Sequence, residues 1–178
     1  MVDGPGRRDA AVEAQEATVL LYMAGGRPFA TDIHVVRALA RTAEERSVPG
    51  MPACFRAVTL VGNKPVGVVG VAAQIGLSPT ELGDADEHHY LLAEAGGLTV
   101  AFAVQKALRV LQLERGAVSD VPMAAGDRVS RAVAGLLVTE AGLTVLVDPR
   151  ALLSDDDVQL ARDVIQRLQA HGWSAQVG

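Results

Sequence analysis

The amino-acid sequence predicts a mainly β fold that ends in one α-helix. Short apolar runs recur along the chain, each closed by glycines. A capped amphipathic stretch follows the last of these runs near the C-terminus. The apolar runs also resemble one another, which points to two related small lobes.

Taken in order, residues 1–16 are polar, carry glycine and proline, and read as a flexible N-terminal arm. Val19–Met23 is closed by Ala24-Gly25-Gly26 and followed by Phe29-Ala30, the pattern of a β-hairpin. Glycine supplies the positive φ that such a turn demands. Val35–Leu39 suits either a strand or a short helix, and Arg41–Arg46 is a charged connection. Val48-Pro49-Gly50-Met51-Pro52 excludes regular helix and central strand. Ala57–Val61 then reads as a strand, Gly62–Pro65 as a turn, and Val66–Ala72 as a strand buried on both faces.

Residues 78–89 are acidic and read as a loop. Strand texture resumes with Tyr90–Ala95 and Leu98–Val104 around Gly96-Gly97, and again with Gly135–Thr139 and Leu143–Asp148 around Ala141-Gly142. Ser154 is a helix cap, and Asp155, Asp156 and Asp157 suit the positive end of the helix dipole. Val158, Ala161, Val164, Ile165 and Leu168 share one face of a helix over 155–170, Gly172 stops it, and 171–178 form a tail. Two repeat offsets are visible. Leu20-Leu21 and Ala24-Gly25-Gly26 recur 71 residues later as Leu91-Leu92 and Ala95-Gly96-Gly97, and Leu91-Leu92 recurs 45 residues later as Leu136-Leu137.

Composition limits the function. The chain has 178 residues, enough for one ordinary domain or two very small ones. Aromatics are only 3%, so platforms for stacking bases or sugars have little to be built from. The formal net charge of −5, with the acidic excess in residues 78–178, opposes an electrostatic grip on nucleic acid. The lone Cys54 excludes an intrachain disulfide and a cysteine-rich zinc site, and suits a reducing, cytoplasmic location. Ala57–Leu77 is the longest apolar region, and Gly62-Asn63-Lys64-Pro65 interrupts it where a membrane helix would need unbroken hydrocarbon.

The motifs of phosphate loops, dinucleotide-binding turns, serine-nucleophile elbows and zinc proteases are absent. Cys54, in an apolar context, reads as a packed thiol rather than a nucleophile paired with His34, His88, His89 or His171. Asp84, Asp86, Glu87, His88 and His89 form one dense group of potential ligands. They support an alternative reading, a small β-barrel enzyme or ligand binder that uses the Asp84–His89 loop with a metal. Adjacent loop residues rarely converge on an ion without a supporting shell, so the favoured reading has no cofactor and no metal.

The order of features resembles the CheW-like domain of bacterial chemosensory systems. Phe29–Leu39 is similar to the family's Y-G-I-[DP]-[IV]-x-x-V-x-E-I stretch, and Met51–Gly62 to its P-x-[FY]-[IV]-x-G-V-[IV]-N-L-R-G. Val66–Leu77 resembles the following P-V-[IV]-D-L strand and its sequel, and Ala134–Leu153 the closing hairpin. The resemblance spans about residues 17–170. It departs in its polar signature: the family's Glu falls at Ala38, its Arg at Val61 and its Asn at Thr59.

The resemblance implies two small intertwined five-stranded barrels with an apolar groove between them and a C-terminal helix. It implies a non-catalytic adaptor that couples the signalling tip of a methyl-accepting chemoreceptor to the regulatory domain of a CheA-type histidine kinase, with other CheW-like proteins as further partners. The partner-binding residues it implies are Val36, Ala38, Leu39, Val58, Val61 and Val100. Loss of the Arg and Glu implies an altered contact with one partner. Localisation would be cytoplasmic, at chemoreceptor arrays, without nucleic-acid binding or direct membrane insertion.

Overall fold

The structure is a computed structural model describing residues 17–41, 44–76, 89–121 and 128–173. These residues form eleven strands: β1 Ala17–Ala24, β2 Arg27–Asp32, β3 Ala38–Arg41, β4 Glu45–Arg46, β5 Ala57–Val61, β6 Lys64–Gly70, β7 His89–Ala95, β8 Leu98–Val104, β9 Lys106–Leu113, β10 Val133–Thr139 and β11 Gly142–Val147. Among the described residues three helices join them: α1 Val71–Gln74, α2 Arg128–Ala132 and α3 Asp155–Ala170, with a 3-10 turn at Pro149–Leu152.

The strands form two curled sheets. Sheet 1 has the order β10-β11-β2-β1-β9, and sheet 2 the order β3-β7-β8-β6-β5-β4. Sheet 1 therefore takes its strands from the two ends of the described chain, and sheet 2 is built from the stretch between them. This is the intertwining the resemblance implied. Two details differ from expectation. Each sheet is a curled half-barrel, and sheet 2 has six strands because part of the charged 41–46 connection pairs as β4, Glu45 with Thr59 and Arg46 with Val58.

Side-chain pairs link the two sides of each curl. In sheet 1, Arg109 on edge strand β9 meets Glu140, in the turn after the other edge strand, at 2.7 Å. In sheet 2, Tyr90 on β7 donates a 2.6 Å hydrogen bond to Glu45 on edge strand β4. Arg56 Nε donates 2.9 Å to the same carboxylate.

The two sheets are copies of one another at the level of strand register. Leu20 pairs with Val110 as Leu91 pairs with Leu39, and Tyr22 with Phe29 as Ala93 with Val100, an offset of 71 throughout. Phe29 pairs in parallel with Val145 as Val100 does with Gly67, and Val138 with Leu143 as Leu60 with Pro65, which carries the β5–β6 unit onto β10–β11 at an offset of 78. The Gly25-Gly26 and Gly96-Gly97 turns even share their conformation, with φ of 58° and 73° against 56° and 80°. The 71-residue repeat is thus structural. The 45-residue one is not, because it matches β7 to β10, which hold different places in their sheets.

Period-2 alternation divides the apolar side chains among three cores. Val19, Ala30, Leu113 and Leu137 fill sheet 1. Ala57, Val66, Val68, Tyr90, Leu92, Ala101 and Ala103 fill sheet 2. The intervening positions, among them Leu20, Tyr22, Phe29, Val69, Leu91, Val100 and Phe102, pack between the sheets with Phe55, Leu152 and Val158. Helix α3 lies along β6 on this between-sheet face. It has the expected cap: Ser154 Oγ accepts from the Asp157 amide at 3.1 Å, and Asp157 Oδ2 accepts from the Ser154 amide at 3.1 Å. Arg162 donates to the Gly96 carbonyl, fixing the helix against the β7–β8 turn.

Several boundaries shift from those the sequence predicts. The strand assigned to Val66–Ala72 begins at Lys64 and ends at Gly70, and Val71 and Ala72 open helix α1. Of the segment Val35–Leu39, Val35 closes a turn and β3 begins at Ala38. The acidic loop at 78–89 lies outside the described residues, except that its last residue, His89, opens β7. Strand β9 was not anticipated, since its exposed, mixed Lys106–Leu113 sequence lacks a clean alternation. Among the described residues no helix is long and apolar enough to cross a membrane.

Candidate interaction surface

The approach to β3 is organised by a turn in which Asp32 Oδ1 accepts from the His34 amide at 2.8 Å and meets His34 Nδ1 at 2.9 Å. Ile33, Val35 and Val36 are half-buried against the between-sheet core. The Arg37 amide donates to the Leu92 carbonyl at 2.7 Å, which aligns β3 on β7. Its guanidinium pairs with Glu94 at 2.9 Å, both side chains being largely exposed, so the ion pair adds orientation more than stability.

Beyond Arg37, Ala38 and Leu39 lie on an edge strand with no partner on its outer side among the described residues. Leu39 is 56% exposed, an unusual state for a leucine beside the fully buried Leu91. Val61, at the end of β5, is half-buried, and it packs against the interior of sheet 2 as Ala40 does. Val58 and Val100 are both fully buried. They flank Gly67 in one row across β5, β6 and β8. A Cβ on Gly67 would lie 2.6 Å from the Phe55 ring, so the glycine is a slot for that ring. The six expected residues thus divide into an exposed pair on β3, two half-buried valines, and two fully buried valines in one row across sheet 2, of which Val100 packs in the between-sheet core.

Two features escaped the sequence reading. The Glu45–Arg56–Tyr90 cluster joins residues far apart in sequence and leaves no local signal. Val110, 54% exposed, is the register equivalent of Leu39 on the other sheet, and the 71-residue offset pointed to it. Cys54 is buried. Of the Asp84–His89 group only His89 is described, and among the described residues no group of three or more His, Cys, Asp or Glu is placed to hold a metal.

The CheW-like domain family model matches residues 18–157. The chain belongs to the CheW-like domain family. Its CheW-like fold is also seen by superposition on a scaffolding protein, TtCheW of Thermoanaerobacter tengcongensis, with a TM-score of 0.67 over 80% of this chain and 91% of that one. Identity to it is 13%, so the likeness is one of fold. No curated protein sequence matches the chain. The CheW-like assignment places the chain among scaffold and adaptor domains, with the curled sheets and C-terminal helix described above.

Proposed function

We propose that the chain is a non-catalytic chemosensory adaptor that couples chemoreceptor signalling tips to the regulatory domain of a CheA-type histidine kinase. The observation that carries this reading is an exposed apolar edge, Ala38 and Leu39 on β3, on a CheW-like fold. An exposed strand edge offers main-chain pairing, which tolerates drift in side chains. Val36 and Val61 extend the partner-facing surface, and Val58 and Val100 support it from within the core.

Ala38 and Val61 stand where the resemblance implies Glu and Arg. An Arg gives a fork of donors that Val lacks, so the contact made there is apolar and one partner is bound differently. The protein acts in the cytoplasm at receptor arrays. The test is calorimetric titration of the purified chain, separately, with a receptor signalling-tip fragment and with the kinase regulatory domain. Binding of at least one partner, lowered tenfold or more by Leu39→Asp at unchanged melting temperature, is expected. Binding of neither overturns the adaptor reading, and equal affinity for both at family strength overturns the altered contact.

A further inference from the structure

In each sheet the chain that leaves one edge strand comes back against the far side of the curl. On sheet 2 the chain leaving β3 returns as β4 and pairs with β5, Glu45 with Thr59 and Arg46 with Val58. On sheet 1 the chain leaving β9 turns at residues 114–117, where the Ala117 amide donates to the Glu114 carbonyl at 3.1 Å. It then returns against β10. Ser119 faces Leu136 there, and each amide donates to the other's carbonyl at 2.8 Å. Leu136 corresponds to Val58 at the offset of 78, so the strap at residues 114–121 is the sheet 1 counterpart of β4.

The two returns are held very differently. On sheet 2, Thr59 Oγ1 donates to the Glu44 carbonyl at 2.6 Å, and the Glu45 carboxylate receives both Tyr90 and Arg56. Among the described residues no side chain of the strap makes a hydrogen bond or ion pair. Its anchor is Val118, half-buried against the core of sheet 1, between neighbours that are exposed. Gly135 makes room for that anchor. A Cβ there would overlap Val118 Cγ1 and lie 3.0 Å from the Ser119 carbonyl oxygen, the close approach that glycine in a strand permits.

We propose that the strap is a gate on the outer edge of sheet 1. Residues 114–121 swing off β10 as one unit while both sheets stay folded, and the open state presents the Leu136 amide and carbonyl as a bare strand edge. Opening exchanges one pair of main-chain bonds for bonds to water and frees one half-buried valine. Opening β4 would instead take Glu45 from Arg56 and Tyr90, so the duplicated fold has one fixed closure and one releasable one. No residue of the β3 surface takes part, so the gate and the adaptor reading stand or fall separately.

Native-state hydrogen exchange of the full chain, followed by NMR over increasing urea, tests the gate. The Ser119 and Leu136 amides are expected to share one protection factor, at least tenfold below that of the β4–β5 pairing. Their exchange should not depend on urea below the unfolding transition, whereas amides of β11, one strand further in, should follow global unfolding. Gly135→Ala crowds Val118 and the Ser119 carbonyl, and should lower the protection of both amides tenfold or more with β11 unchanged. Val118→Ala removes the anchor without crowding, and should act in the same direction even if Gly135→Ala harms folding. Exchange of Leu136 with the urea slope of β11 overturns the proposal, as does an equal loss of protection at β11 and Leu136 in Val118→Ala. Unequal protection of Ser119 and Leu136 overturns the single unit.

Discussion

Glu45 and Tyr90 meet across the mouth of sheet 2, the phenol donating at 2.6 Å to a carboxylate that also receives Arg56 Nε at 2.9 Å. Tyr90 is almost fully buried in the interior of that sheet, and its hydroxyl reaches the opposite edge strand. One side chain thus fills the curl and ties β7 to edge strand β4. Tyr90→Phe keeps the filling and removes the tie, at a cost of about 1 kcal/mol. Glu45→Ala strips partners from both Arg56 and Tyr90, at about 2 kcal/mol. Urea unfolding of the two variants measures the difference, and equal values would show that the carboxylate matters only through the phenol.

Gly67→Ala sets a methyl against the Phe55 ring. Phe55 is buried and has little room to yield, so the substitution destabilises by about 1–3 kcal/mol. Pairing it with Phe55→Leu, which vacates the slot, should cost less than the two single changes summed. A double-mutant cycle by thermal unfolding reads this directly.

Tyr22 is fully buried, and its hydroxyl lies 3.0 Å from Thr31 Oγ1, which in turn donates to the Val147 carbonyl at 3.0 Å. Burial, outweighing the Thr31 hydrogen bond, pushes the phenol above its ordinary range, with Asp148 adding to the rise. The folded chain therefore holds this proton when the unfolded chain has lost it. Its contribution to stability is complete below the ordinary tyrosine pKa of about 10 and falls as pH climbs beyond that value. Denaturant unfolding between pH 8 and 11 should show stability declining at the alkaline end, and the decline should be shallower in Tyr22→Phe.

Ser154→Ala removes one half of the capping box on α3 and should cost about 1 kcal/mol. Because α3 seats Val158 and Ala161 in the between-sheet core, the loss should appear in global unfolding as well as in fraying at the helix start. Hydrogen exchange at the Asp157 amide, compared with amides of β7, separates the two.

Much of the fold was legible because the local signals are strong. The Gly25-Gly26 and Gly96-Gly97 pairs marked both central hairpins, and Ser154 with its aspartates marked the start of α3 to the residue. The 71-residue repeat could be read from those glycines alone. Strand β9 was hidden because Leu108 and Val110 are exposed and a bulge at Leu21/Tyr22 breaks its register, so no alternation survives. The two residues of β4 are ordered by Glu45 reaching Arg56 and Tyr90, contacts that no window on the sequence contains. The candidate surface was legible only in part, since the burial of Val58 and Val100 depends on Phe55 filling the slot at Gly67.

The interleaved chain order has a consequence for how the molecule comes to exist. Sheet 2 is complete once residue 104 has been made, whereas β1 and β2 must await β9, β10 and β11. During synthesis the first hairpin is thus left with unsatisfied edges until the last third of the chain emerges, a span of non-local closure that slows folding and exposes strand edges. A nascent chain halted after β8 should hold a protease-resistant middle and a digestible start, and resistance should reach Ala17 only after β11 has left the ribosome.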